Sequence, residues 1–138
     1  MPDLGYYEKL PRPESIRFFM SRVKGHSKVK SIEQLEEQLF KIIKLNGKEL
    51  LVHLTNYYVV SEAEVYEIMS QHNGHKLNSI VTISLWNSYS STGKSVAKEN
   101  GLGLFLINEF LGALNLDGKA FINYITPAER KRREREAK

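Results

Sequence analysis

Residues 80–111, IVTISLWNSYSSTGKSVAKENGLGLFLINEFL, decide the fold class. Ile80 to Trp86 opens with apolar and β-branched residues and predicts a strand. Ser90 is a helix N-cap, because its hydroxyl can accept from an N–H of the first turn. Val96 and Ala97 then face the sheet, and Gly101 stops the helix. Leu102 to Ile107 is the next strand, and Asn108 caps a short helix, Glu109 to Leu114. Strands alternating with helices, over connections too long for hairpins, argue for parallel pairing.

The same stretch holds Ser91-Thr92-Gly93-Lys94-Ser95, which ends like a phosphate-binding P-loop between a strand and a helix. That chemistry needs a glycine-rich loop whose N–H groups wrap the phosphates. The position of its first glycine, five residues before Gly93, is Ser88. Nor does an apolar strand ending in Asp follow to hold magnesium, since the strand through Ile107 leads into Asn108. The pattern is a decoy, and Lys94 is expected on the exposed face of its helix.

Working outward toward the N-terminus, Glu49 to Thr55, ELLVHLT, is near-continuously apolar, as in a strand covered on both faces. Ser61 and Glu64 have capping-box spacing for a helix to about Gln71, with Val65, Ile68 and Met69 inward. His72 and His75 flank a Gly-containing turn where nothing holds both rings, so no metal site is read there. Upstream, Ser31 is expected to cap a helix from Ile32 to Lys44. Leu35, Leu39, Ile42 and Ile43 would be its buried stripe and Glu33, Glu36 and Glu37 its outer face. Asn46-Gly47 is a turn. Pro13 starts a helix through Val23, with Ile16, Phe19, Met20 and Val23 at helical spacing, and Gly25 ends it. Before it, Tyr6, Tyr7 and Leu10 lie in an extended opening. Past the central stretch, Asp117-Gly118 is a turn and Ala120 to Ile125 reads as extended. Thr126 and Glu129 form a second capping box with Pro127 at the first helical position. The following AERKRREREAK has no apolar stripe and reads as an exposed helix or a disordered tail.

The expected architecture is therefore α/β: a small, mainly parallel sheet flanked by helices, with N-terminal helices and a basic C-terminal helix or tail. It divides into a basic N-terminal arm and helix (1–30), an α/β core (31–126) and an exposed basic tail (127–138). A chain of 138 residues is long enough to bury a real core. Cysteine is absent, which excludes disulfides and thiolate metal sites. No apolar run has the length of a membrane span and the N-terminus has no signal pattern, so a cytoplasmic protein is expected. The net charge of +4 is unevenly spread. Residues 1–30 hold seven Lys or Arg against three Asp or Glu, residues 31–126 seven against ten, and residues 127–138 six against three. A mildly acidic middle lies between two basic ends, so any nucleic-acid contact belongs to the ends.

Thr82, Tyr89, Ser90, Gly93, Ala97, Gly101, Leu102, Leu104 and Phe105 fall into a spaced pattern. It resembles the C-terminal half of the Mrr-type restriction endonucleases, within the PD-(D/E)xK nuclease fold. LVHLTNYYVVSEAEVYEIM is similar to that family's strand ending in the catalytic (E/Q)xK and to the helix after it. The resemblance covers about residues 48–114. It implies acidic residues that bind magnesium and a lysine that polarises the attacking water. The (E/Q)xK register here lands on His53-Leu54-Thr55, so His53 replaces the acid or amide and Thr55 the lysine. No Asp lies between Asp3 and Asp117, and the hairpin that would carry the upstream Asp is expected to be missing. On a strand, His53 reads as a satisfied, half-buried histidine.

Three functions follow as expectations. The first is a catalytically degenerate nuclease-like domain that binds DNA or RNA, with Lys24, His26, Lys28, Lys30, Arg130, Arg132 and Arg133 on phosphates and no cofactor. The second is a module that binds itself or another protein through the aromatic residues outside the α/β unit. The third is a magnesium-dependent nuclease with a migrated site, drawn from Glu37, Glu49, His53 and Thr55.

Overall fold

A computed structural model of the protein describes residues 10–72, 76–84 and 86–136, without the Arg133 side chain. The expected extended segment at Tyr6 and Tyr7, and His75, lie outside the described residues. Helix α1 (Pro13–Lys24) begins on the proline and buries Phe19 and Val23, one turn apart. Strands β1 (Val29–Glu36), β2 (Leu39–Lys44) and β3 (Glu49–Thr55) follow as an antiparallel meander.

The helix expected over residues 32–44 is replaced by the β1–β2 hairpin. Its apolar residues fit both periods. Leu39, Phe40 and Ile42 are all buried, because both faces of β2 are covered, so the strand shows no alternation. Leu35, expected on the buried stripe, is 41% exposed instead. The acidic residues mark an edge rather than a helix face: β1 is the outer strand, and exposed Lys30, Glu33 and Glu36 discourage pairing with another chain. The hairpin expected to be missing ahead of the His53 strand is therefore present.

Beyond β3 the chain runs through β4 (Val59–Val60), α2 (Glu62–Gln71), β5 (Ser79–Thr82), β6 (Ser88–Tyr89), α3 (Ser91–Glu99) and β7 (Gly103–Leu106). It ends in α4 (Ile107–Ala113), α5 (Gly118–Ile122) and α6 (Pro127–Glu136). The main sheet has five strands in the order β1-β2-β3-β5-β7. Its first three strands are antiparallel, while β3, β5 and β7 are parallel across the α2 and α3 crossovers. The sheet is thus mixed rather than mainly parallel, because the misread hairpin adds two antiparallel strands. β4 and β6 form a separate parallel pair over the loops that leave β3 and β5.

Several element ends differ from expectation. The strand expected to reach Trp86 stops at Thr82, and α4 starts at Ile107, two residues ahead of the helix expected from Glu109. Residues 120–122, expected to be extended, belong to α5, whose Phe121 packs on Phe105 at 5.3 Å. Five residues are too few for periodicity to separate the two alternatives. Ser61 makes no cap to the α2 backbone; its hydroxyl donates to the Glu64 carboxylate instead. Thr126 does cap α6, accepting from Glu129 N–H at 3.2 Å, and α6 is helical through Glu136.

Two layers of helix cover the sheet. On one face α1, α4 and α5 pack an aromatic core of Phe19, Phe40, Phe105, Phe110 and Phe121, with Phe19 edge-on to Phe40 at 5.1 Å. On the other, Val65 and Ile68 of α2 and Val96 and Ala97 of α3 meet Leu39, Ile80 and Leu104. Helix α3 lies so close to β4 that a Cβ on Gly93 would sit 2.6 Å from the Val60 carbonyl oxygen. Gly93 is thus a packing glycine. No helix among the described residues is long and apolar enough to cross a membrane.

Candidate functional site

Strand alternation sends Val52 and Leu54 of β3 to the aromatic core and His53 and Thr55 to the α2 face. There His53 is 1% exposed, buried outright rather than half-buried. His72, just past the end of α2, reaches it with its Nε2 2.8 Å from His53 Nδ1. Gln38, at the entry to β2, completes a chain. Its Nε2 donates to the Leu54 carbonyl at 3.0 Å, which fixes the amide orientation, since a carbonyl only accepts. The second N–H of the same nitrogen points at His53 Nε2, 3.3 Å away. His53 Nε2 is then an acceptor, and its Nδ1–H donates to His72. Burial, and secondarily His72, hold the His53 pKa down at about 3, so the His53 ring is neutral near pH 7.

This is the position that the resemblance assigns to catalysis, and its donor set does not suit magnesium. That ion wants hard, charged oxygens in an octahedron. Gln38, His53 and Thr55 are neutral, and Thr55 is fully buried with no charge to offer in place of lysine. Glu37 stays on the surface in the β1–β2 turn. Glu49 is exposed at the far end of β3, four residues and about 13 Å along the strand from His53. Glu37, Glu49, His53 and Thr55 are therefore not brought together. Among the described residues no three His, Asp or Glu converge to hold a metal.

A second polar centre lies where β3 and β5 end. Asn56 Oδ1 accepts from Ser84 Oγ at 2.5 Å and from Asn87 Nδ2 at 2.9 Å. Asn87 Nδ2 also donates to Thr82 Oγ1 at 3.0 Å, and Thr82 Oγ1 donates to the Tyr57 carbonyl at 3.1 Å. The two loops are tied to each other. Tyr57 donates to Glu67 at 2.7 Å, and partial burial followed by that bond raises its pKa, so it remains a phenol. Beside these loops opens a cleft of about 490 Å³ between α3 and α6, lined among others by Ser88, Ser91, Lys98, Glu109 and Arg132.

Lys94, at its wall, does not project from the helix as expected. It is 8% exposed, donates to the Leu104 carbonyl, and stands 4.3 Å from the centre of the Phe105 ring and 4.9 Å from that of Tyr89. Its long stem carries the charge back over the sheet edge, where aromatic faces stabilise a desolvated ammonium. Glu109 escaped the sequence reading. It accepts from Tyr89 OH at 2.9 and 2.8 Å and from Leu106 N–H at 2.9 Å. An acid three residues after a strand end that starts a helix was the available signal.

The basic residues divide. Lys24, Lys28, Lys30 and Arg130 are exposed, and no ion pair engages them among the described residues. Lys30 belongs to β1 rather than to a loop. His26 is committed internally: its Nδ1 accepts from Lys28 N–H at 3.0 Å, so its Nε2–H donates to the Leu111 carbonyl at 2.8 Å. It is a connector between α1 and α4 rather than a phosphate contact. Arg132 pairs with Glu129 at 2.5 Å and with Glu136 at 3.7 Å, and the Arg133 side chain lies outside the described residues. Comparison with protein-family models, with curated proteins and with solved structures finds no match to this chain. Its own chemistry carries the functional reading.

Proposed function

We propose that the chain is a non-catalytic restriction-endonuclease-like domain that holds nucleic acid through phosphate contacts. The observation that carries the loss of catalysis is the closed Gln38–His53–His72 chain. It fills the register of the catalytic motif with a buried, neutral His53 whose two ring nitrogens are already hydrogen-bonded. The hairpin ahead of β3 supports the family reading, because the resemblance calls for one there. Exposed Lys24, Lys28, Lys30 and Arg130 supply the phosphate contacts.

The test is the anisotropy of a labelled mixed-sequence duplex against salt. Four phosphate contacts give a slope of log affinity on log salt of about −3 to −4. Lys28→Glu with Lys30→Glu should flatten that slope. A duplex that stays free even at low salt would refute the proposal.

A further inference from the structure

We infer that Tyr58 and Trp86, together with the adjoining cleft between α3 and α6, form a seat for unpaired nucleotides. This rests on the nucleic-acid reading above and narrows it to single strands. Bases stack on the two rings, while the neighbouring phosphates lie against Ser88, Ser91, Lys98 and Arg132.

Exposure is the first argument. Trp86 is 74% exposed and Tyr58 68% exposed, and both sit on the loops that leave the parallel strands. An indole this bare needs a reason, since tryptophan is highly buried on average. Rigidity is the second. The Asn56–Ser84–Asn87–Thr82 network ties the two loops, and Ser88 N–H donates to the Tyr58 carbonyl at 2.8 Å. These bonds hold Asn56, Tyr58, Ser84, Asn87 and Ser88 before any ligand arrives, which lowers the conformational entropy that binding spends there.

Continuity with charge is the third. Ser88, a cleft residue, is two positions after Trp86, so their Cα atoms are within about 7 Å. Lys98 has no ion pair among the described residues, and Arg132 is held by half-buried Glu129 and exposed Glu136, with which a phosphate would compete. Two acids line the wall: Glu109 is already occupied by Tyr89 OH and Leu106 N–H, and Glu129 is held by Arg132. Aromatic faces beside cations and hydroxyls suit a strand with accessible base faces; a duplex hides those faces in its own stack. An apolar protein partner fits less well, because the loops that carry the rings also carry Asn56, Ser84 and Asn87.

Trp86 is the sole tryptophan, so its fluorescence reports on this seat directly. The experiment titrates the protein with an oligothymidylate of about 12 nucleotides, a typical single-strand site size. A labelled duplex of equal length is measured in parallel. The expected result is saturable quenching of Trp86, with single-strand affinity falling roughly 10-fold in Trp86→Ala and again in Tyr58→Ala. Duplex affinity should hold in both variants. Single-strand binding that leaves Trp86 unquenched and survives Trp86→Ala overturns the seat, whatever the duplex result. Trp86-dependent single-strand binding with no duplex binding supports the seat and instead overturns duplex contact by the basic ends. Self-association that Trp86→Ala dissolves in sedimentation, without oligonucleotide binding, also overturns it and assigns the surface to a second copy of the chain.

Discussion

The sheet carries two polar centres that differ in how their hydrogen-bonding capacity is used. In the Gln38–His53–His72 chain both ring nitrogens of His53 face another protein group, and that ring is neutral and buried. At the loop ends a similar network of Asn and Ser side chains is also satisfied, but it props up two bare aromatic rings and borders a polar cleft that holds Lys98 and Arg132. The first centre spends polar groups on holding β2, β3 and α2 together. The second spends them on presenting something else to solvent. A polar cluster at the expected place for catalysis is thus the less available of the two.

The contrast breaks most sharply if the closed centre proves expendable. His53→Ala leaves Gln38 and His72 facing an empty, dry space and should cost about 3 kcal/mol in urea unfolding. A loss near zero would mean that water already reaches the ring. Next comes acid. The folded His53 takes its proton near pH 3 and the unfolded one near its ordinary 6.5, so the unfolded chain is protonated first. The stability that this residue contributes is complete above pH 6.5 and is lost as the pH falls toward 3, by about 2 kcal/mol at pH 5. His53→Gln should remove that part of the slope, measured as Tm against pH.

Lys94 sharpens the comparison from the cleft side. Lys94→Ala leaves the Leu104 carbonyl without its donor and should cost about 1–3 kcal/mol by the same unfolding measurement. Selective loss of single-strand binding at unchanged stability would instead make Lys94 part of the open centre. Smallest of all, Trp86→Ala should shift stability by no more than about 0.5 kcal/mol, because an exposed ring has little packing to lose. The same substitution should lower single-strand affinity roughly 10-fold.

Legibility from sequence followed the range of the interactions. The β5–α3–β7 unit could be read because its punctuation is local: Ser90 caps α3 through Gly93 N–H at 3.0 Å, and Gly101 ends it at φ +74°. The β1–β2 hairpin could not, because a strand buried on both faces and a helical stripe share the spacing of Leu39, Ile42 and Ile43. Misreading it hid Gln38, and with it the partner of His53. The second partner, His72, is 19 residues from His53 along the chain and is brought to it only by the packing of α2 on β3. Lys94 illustrates a different limit. Helical spacing places a Cβ, but the four-carbon stem decides where the charge ends up.

The central claim is that the register of catalysis is sealed while nucleic acid is still held. Incubating the protein with supercoiled plasmid and magnesium, then resolving binding and strand scission in the same samples, tests it directly. The account predicts retardation at low salt with the plasmid left intact, for the native chain and for a folded His53→Gln variant alike. Nicking by the native chain that His53→Gln abolishes would contradict it.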